Sequence, residues 1–330
     1  MDQKGEKFES VEDTGSPNVA PPTRGQRFKR HCGRRWWIYL IIFLILVLVG
    51  VIAIIFGIIP RIAQNSVSSS SLQVDGIAIT SPSNSEFTLA MNSTVNSHAP
   101  VSASFSPQTF EMYLPPAEGK EPVPFINLSI GSLKVEDTFT INVTDAKTAI
   151  MNEDAYMDFS AQVLGREELE LGVRSRPQIN VGAIKFNVNY QKIVKLRGLN
   201  GLKGIKLYNA TILDTPLPDG TNMITDGILP NPSSFTLQVG DLTVDMAFGT
   251  WELGWSVVKD LTLYPGDNAV KIYNHVKPEI IKNLLFVSST TAPRTNITLT
   301  ANSTVFNGQH INWLEKPLHD APPVIAVLNP

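Results

Sequence analysis

Apolar residues fall into two patterns along the chain. From Trp36 to Ile59 they form a solid block, WWIYLIIFLILVLVGVIAIIFGII, without a single charge. At about 1.5 Å rise per residue, a helix of this length reaches roughly 36 Å, enough to cross a ~30 Å hydrocarbon core. The block predicts one membrane-spanning helix over residues 36–59, with Pro60 as its stop. Beyond residue 71 the period becomes two. Ile77 and Ile79 alternate with small or polar residues, as do Phe87, Leu89 and Met91, then Val101, Ala103 and Phe105. The same holds for Phe110, Met112 and Leu114, and for Phe139, Ile141 and Val143. The clearest run is Ile184, Phe186, Val188 and Tyr190, interleaved with Lys185, Asn187, Asn189 and Gln191. Later come Phe235, Leu237 and Val239, then Leu242, Val244, Met246 and Phe248. Such alternation marks strands with one buried and one wet face. Gly, Pro and Asn between the runs are turn signals. Many short strands in series predict a mainly β chain of β-sandwich architecture rather than a parallel sheet.

Two stretches predict helix instead. Asp154 is placed to cap a short helix carrying Tyr156, Phe159 and Val163 on one face. A second runs from about Val270 to Phe286, with Tyr273, Val276, Ile280 and Leu284 at helical spacing. Pro278 interrupts it, or opens a shorter helix as a first-turn residue.

The organisation follows. Residues 1–35 form a disordered cytosolic tail, the first 23 being polar and too poor in apolar residues to fold. Residues 60–71 read as a Ser-rich flexible linker. Pro82-Ser83 leading to Phe87-Thr88-Leu89 is echoed by Pro232-Ser233 leading to Phe235-Thr236-Leu237, and TLAMNSTV (88–95) by TLTANSTV (298–305). These echoes predict two sandwiches, residues 72–204 and 205–330, divided at the Gly-rich stretch 198–204. Composition bias in strand-rich sequence generates short matches of the same kind.

Charge supplies an orientation. Arg24, Arg27, Lys29, Arg30, Arg34 and Arg35 crowd the amino side of the span, whereas Arg61 stands alone beyond it until Lys120. Basic flanks stay in the cytosol, which predicts a single-pass type II protein with a retained signal-anchor. A cleaved signal peptide is the alternative. Its apolar core would be about 7–15 residues long with small residues at the cleavage site, and this run is longer and lacks them. The apolar stretch Val324–Leu328 is too short for a second span. Glycosylation acceptors agree with the orientation: Asn92, Asn127, Asn142, Asn209, Asn296 and Asn302 each open an N-x-S/T sequon, and all follow the span. Asn142 lies between Ile141 and Val143, so on a strand it faces away from the core.

The chain of 330 residues has one cysteine, Cys32. Four residues before the span, it is a candidate for palmitoylation or an inert thiol. The part after the span has no cysteine and must hold together by its apolar core, for which it is long enough. A net charge of −3 makes no case for nucleic acid. The basic cluster suits anionic lipid of the cytosolic leaflet, so the expected partners are membrane lipid and other membrane proteins.

No catalytic constellation stands out. His31, His98, His275, His310 and His319 show neither zinc-finger nor HExxH spacing, and no cofactor is expected. His310 and His319 flank Trp313 and Glu315 in what reads as a surface loop, or as a loose metal site. Gly198, Gly201 and Gly204 have the wrong spacing for a dinucleotide loop and suit tight turns. Asp241 and Asp245 share a strand face opposite Leu242, Val244 and Met246, a solvated position that argues against acid–base work. Pro265-Gly266-Asp267-Asn268 reads as a turn with too few oxygens for calcium. Trp251 and Trp255 in TWELGW either pack the second core or its edge, or form an exposed aromatic patch.

Two blocks, NPSSFTLQVGDLTVDMAFG (231–249) and LTLYPGDN (261–268), resemble a domain of unknown function of fungal single-pass membrane proteins. Those proteins are similar to the LEA-2 (late embryogenesis abundant, WHy-type) β-sandwich family. DGIAITSPSNSEFTLAMNSTV (75–95) resembles a LEA-2 opening and YQKIVKLRGLNGLKG (190–204) its close. The resemblance implies tandem LEA-2-like, immunoglobulin-like sandwiches and a vacuolar membrane location, and offers no catalytic residue to transfer. The expected function is a non-enzymatic membrane-anchored scaffold or adaptor. The alternative is lipid binding or transfer through an apolar groove in the sandwich.

Overall fold

A computed structural model describes residues 24–97, 103–182, 184–277, 279 and 295–329, with the backbone alone for residues 24–35, 295, 328 and 329. The tail up to residue 23, His98, Val101, and the Pro278, Ile280 and Leu284 of the second expected helix lie outside the described residues, as do the side chains of His31 and Cys32.

The chain divides into two compact units, residues 1–59 and 60–330. The first contains helix α1 (Arg24–Ala53) and a π-helical turn, Ile54–Ile58. Residues 24–35, expected in the disordered tail, are therefore helical. Lys and Arg are good helix formers, and prolonging an existing helix needs no new nucleus. The apolar window beyond Trp36 has a mean hydropathy of 3.5 and none of it is buried. Among the described residues, one helix is thus long and apolar enough to cross a bilayer.

The second unit opens with α2 (Ile59–Ser69), so Pro60 does not end the helical path. The π-turn before it accommodates the missing N–H, the Ile59 N–H reaching back five residues to the Ile54 carbonyl. Nor are residues 60–69 a flexible spacer. Gln64 Nε2 donates to the Asn189 carbonyl at 2.9 Å, and the Asn189 N–H donates back to Gln64 Oε1 at 2.9 Å.

The strands of the first half are β1 (Ser71–Thr80), β2 (Glu86–Asn96), β3 (Ala103–Phe105), β4 (Gln108–Tyr113), β5 (Pro124–Ile130), β6 (Leu133–Val135) and β7 (Thr138–Ala149). Helix α3 (Glu153–Gly165) precedes β8 (Glu168–Ser175), β9 (Gln178–Val181), β10 (Ile184–Asn187) and β11 (Tyr190–Arg197). The second half holds β12 (Lys206–Ile212), β13 (Met223–Asn231), β14 (Phe235–Phe248), β15 (Trp251–Leu263) and β16 (Gly266–Val276). It continues with β17 (Thr295–Phe306), β18 (Gln309–His310), helix α4 (Asn312–Asp320) and β19 (Val324–Asn329).

The chain is mainly β after one apolar helix, as the alternation predicts. In the first half β1, β2 and β7 face a sheet ordered β11-β8-β4-β5, with Leu72, Met91 and Ile141 of one layer meeting Phe110, Leu128 and Val173 of the other. The second half rolls up. Its strands run β14-β15-β16-β13-β12-β19-β17, and β17 pairs back onto β14, which closes a seven-stranded ring without a free edge. The halves share a sheet, because β1 pairs in parallel with β14 through Ile77–Phe235 and Ile79–Leu237. They also share a core. Tyr156 of α3 lies 5.2 Å from Phe87 of β2 and 4.9 Å from Trp313 of α4, ring centre to ring centre. Trp313 Nε1 donates to the Ser83 carbonyl at 2.7 Å, tying the last helix to the first hairpin.

Helix α3 turns Tyr156, Phe159 and Val163 inward as their spacing predicts, but its cap is Asn152, whose Oδ1 accepts the Ala155 N–H at 2.9 Å, not Asp154. The second expected helix is an error for Val270–Val276, which belong to β16. There Ile272, Asn274 and Val276 are buried, while Tyr273 points out beneath the Lys259 ammonium, 4.6 Å from its ring centre. An outward aromatic among inward aliphatics imitated a helical stripe.

β14 changes partners along its length: residues 235–237 pair with β1, residues 241–247 with β17. Gly240 sits between, at φ 80° and flanked by register shifts. A Cβ there would lie 2.3 Å from the Val305 carbonyl oxygen. Gly240→Ala should cost about 2–4 kcal/mol of stability in chemical denaturation of the full chain in micelles. Gly249→Ala, at φ 59° with open space around it, should cost only about 1–2 kcal/mol.

Candidate ligand-binding cavity

Closing seven strands leaves an interior that side chains must fill or leave open. Here it stays open, as a cavity of about 440 Å³, within the ~300–1,000 Å³ range of small-molecule sites. Its walls are the inward positions of the alternating strands, among them Leu207, Leu229, Leu242, Val258, Ile272 and Leu299. Gly165, Lys203, Gly204, Pro322, Pro323 and Ile325 are lining residues that are also exposed, and they mark the mouth. Three elements meet there: the end of α3, the turn Asn200–Leu202, and the segment after α4. Lys203 is the one charged lining residue among those described.

The mouth carries backbone strain. Asn200, Gly201 and Leu202 all have positive φ, at 53°, 63° and 51°. Glycine and asparagine tolerate this; leucine does so at a cost of about 1–2 kcal/mol. Strain held in place by its surroundings clusters at functional sites. It fixes Leu202 among the lining residues of the mouth.

At the inner end three buried polar side chains interrupt the apolar wall. Asn274 of β16 stands between Thr225 of β13 and Ser256 of β15, and all three line the cavity. Asn274 Nδ2 donates to Thr225 Oγ1 at 3.0 Å and to the Met223 carbonyl at 3.2 Å. Its Oδ1 accepts from Ser256 Oγ. Beyond them Met223, Leu253, Val276 and Ile297 are buried but do not line the space, so they plug the barrel. None of the three polar residues was singled out in the sequence. The available signal was a polar residue at the inward parity of an alternating strand: Thr225 between Met223 and Gly227 and Asn274 between Ile272 and Val276; for Ser256 only Val258 shares the parity, because the strand is irregular between Leu253 and Ser256.

The residues the sequence did single out lie elsewhere. Asn92, Asn127, Asn142, Asn209, Asn296 and Asn302 are all exposed on strands, and Asn92 and Asn142 are direct cross-strand partners. Asp241 and Asp245 do not line the cavity; the first accepts the Asp260 N–H at 2.8 Å and the second the Asn302 side-chain amide at 3.0 Å. Trp251 and Trp255 are 61% and 40% exposed, so neither packs a core. Trp255 stacks on His275 at 3.5 Å between ring centres. Asn231 and Asn268, in the two blocks quoted above, staple turns: Asn231 Nδ2 donates to the Phe235 carbonyl at 2.7 Å, and Asn268 Oδ1 accepts the Tyr264 N–H at 2.8 Å. Their segments pair through Asn231 and Gly266, so the blocks mark one structural corner.

His310 and His319 are not in a loop but flank and end α4. Among the described residues no three His, Cys, Asp or Glu side chains gather as a metal site. Instead His310 Nδ1 lies 2.8 Å from Glu315 Oε2, which also accepts the Thr304 N–H at 3.0 Å. This clamp holds α4, whose carboxyl end forms part of the mouth, against β17 and β18.

Residues 123–246 match the family model described as a protein of unknown function, DUF3712. The match runs from β5 of the sandwich into β14 of the barrel, without a break at residues 198–204. Among curated proteins none matches the chain. Solved structures similar to it include a protein from Archaeoglobus fulgidus (11% identity, 39% of this chain and 94% of that one, TM-score 0.23). Red sea bream transglutaminase aligns with 78% of this chain and 31% of its own at 11% identity and TM-score 0.25. The Bacillus subtilis sporulation control protein Spo0M aligns over 67% and 95% at 12% identity and TM-score 0.16. At such scores the strand order, not the likeness, describes the fold.

Burial raises the Glu315 carboxyl, but the hydrogen bonds from His310 and the Thr304 N–H outweigh it and leave its pKa lowered. A group lowered on folding stabilises fully above its unfolded value, ~4.3, and loses that contribution as pH falls through the folded value. In thermal unfolding, Glu315→Gln should melt below the parent at neutral pH, and the gap should close as pH falls below about 4.

Proposed function

We propose that the chain is a non-enzymatic, membrane-anchored protein whose barrel holds an elongated apolar ligand. The observation that carries this reading is the open, apolar interior of a closed seven-stranded ring, with its mouth beside the strained turn at Leu202. A groove in the sandwich was the sequence expectation for lipid; the larger space lies in the barrel, and the slot between the sandwich sheets measures about 70 Å³. Membrane lipid is the nearest source of such ligands for a protein with one apolar span.

In this reading the amino end is cytosolic, supported by the arginines before Trp36, and the β-rich part is luminal and glycosylated, supported by six exposed sequon asparagines. The compartment is the vacuolar membrane, which only the resemblance of the 231–268 blocks to fungal LEA-2-like proteins supports. A second reading, an adaptor for other membrane proteins, has its own observation. Phe248, Trp251 and Trp255 are exposed on the β14–β15 hairpin, and exposed aromatics suit a protein interface.

Two outcomes test these readings. Full-length protein in nanodiscs should take up a diazirine-bearing alkyl probe saturably, with labelled peptides mapping to β12–β17. Ala301→Phe, which fills the lining with a bulky ring, should weaken labelling by about tenfold or more while the protein stays folded. Absence of saturable labelling in the parent refutes ligand binding. For orientation, peptide N-glycosidase should increase the mobility of the protein made in cells. An unchanged band, with the β-rich part cut by protease added outside sealed vesicles, reverses the topology.

A further inference from the structure

Trp255 is exposed yet fixed. One face of its indole lies on the His275 imidazole, 3.5 Å between ring centres and 12° from parallel. His275 is itself hemmed in. Its Nε2 lies 3.5 Å from Thr221 Oγ1, and Gly220 packs so close that an added Cβ would sit 3.3 Å from Nδ1. A ring held this way spares a ligand the cost of ordering it. The other indole face turns toward the opposite neighbouring strand. In the order β14-β15-β16, Trp255 pairs with His275 on one side and with Asp245 on the other. Aspartate is short, so the indole stands above it, and Trp255 keeps 40% of its surface exposed.

One strand further on lies Asn302 of β17. Between the pairs Thr243–Ser303 and Val244–Ala301 it is the extra residue of a bulge, exposed on the outer face. Its Nδ2 donates to Asp245 Oδ2 at 3.0 Å, which turns the side chain toward β14 and Trp255. Asn302-Ser303-Thr304 is a sequon. Glycosylation replaces one of the two amide hydrogens and leaves the other to donate, so the bond to Asp245 survives it. Strands lie about 4.8 Å apart, so β17 and β15 are separated by about 10 Å, a gap that an asparagine and one sugar ring bridge. The C–H-lined face of a pyranose suits the electron-rich face of an indole. Asp245 keeps acceptor sites for a sugar hydroxyl or acetamido N–H. Asn209 supplies the contrast. Its Nδ2 also donates to a carboxylate, Asp226 at 3.1 Å, but the strand beyond presents Lys271 there instead of a ring.

We infer that the first N-acetylglucosamine of a glycan on Asn302 docks on the β14-facing side of Trp255, with Asp245 beneath it. This rests on the reading of the β-rich part as luminal and glycosylated. The docked sugar covers an indole face that is otherwise bare, and it leaves Phe248 and Trp251, paired at the end of the same hairpin, as the uncovered aromatics.

The test uses full-length protein made in glycosylating cells and held in nanodiscs, with glycopeptide mass spectrometry and hydroxyl-radical footprinting of the tryptophans. The informative variant is Thr304→Val. It destroys the sequon but keeps Asn302 and its bond to Asp245. The hydroxyl it removes is buried and has no hydrogen-bond partner among the described residues, so the fold should hold. Trp255 should be oxidised about two- to tenfold faster in Thr304→Val than in the parent, the protection given by a contact as strong as an aromatic pair. Trp251 should be oxidised equally in both, and Asn209→Gln should leave Trp255 as protected as in the parent. In Trp255→Ala, an endoglycosidase should trim the Asn302 glycan faster and the Asn209 glycan at the parent's rate. If Asn302 carries sugar and Trp255 is oxidised equally in parent and Thr304→Val, the docking is overturned while the glycosylated reading stands. If Asn302 is bare and other sequons are occupied, the docking is again overturned and the topology stands. If all six are bare, both fail. Should Thr304→Val not fold, the trimming rates in Trp255→Ala decide alone.

Discussion

β14 is asked to belong to two sheets, and Gly240 is where it changes from one to the other. Before Gly240 the strand lies parallel to β1 and completes the layer β1-β2-β7. After it, the strand lies antiparallel to both β15 and β17 and closes the barrel. The bend needs a left-handed residue, and the close approach of the Val305 carbonyl leaves no room for a side chain. Without that corner the sheet would run on flat and keep an open edge at β17. With it, the edge is satisfied internally, and the enclosed volume becomes a cavity rather than a surface.

The same corner explains why the two halves do not come apart as separate sandwiches would. Parallel pairing of β1 with β14 brings the first hairpin beside the barrel, and the aromatic group of Phe87, Tyr156 and Trp313 fills the angle between them. Aromatic side chains bury large areas, and the Trp313 indole N–H finds its acceptor at Ser83, so this joint is both apolar and hydrogen-bonded. Helix α4 is thus fixed at its start by Trp313 and along its first turns by Glu315. Its far end is left to shape the mouth.

Legibility in the sequence tracked the locality of the signal. The apolar block at 36–59 and the alternation of Phe235 to Phe248 are local, and each gave its element directly. The π-turn at Ile54–Ile58 and the continuation past Pro60 were not legible, because they depend on how a helix absorbs one missing N–H. β16 was misread because Tyr273 is aromatic yet outward, drawn out by Lys259, a residue on the neighbouring strand. Ring closure was invisible for a deeper reason. Alternation tells which residues face inward, but not whether the surface they face is a second sheet or the far wall of the same one. The pairing of β17 with β14 joins residues some sixty positions apart, and no local pattern records it.

The polar cluster was missed by the same logic, and its position makes physical sense only once the ring is closed. A threonine, a serine and an asparagine at inward parity would be faults in the core of a sandwich, where facing side chains interdigitate and leave a polar group no partner. In the barrel the same residues meet across neighbouring strands at the cavity's inner end and satisfy one another. Asn274 converts the fault into a fixed site, since its amide is held by two backbone carbonyls and cannot turn away from its neighbours. The hydroxyls beside it are therefore held in one geometry, each hydrogen-bonded to Asn274.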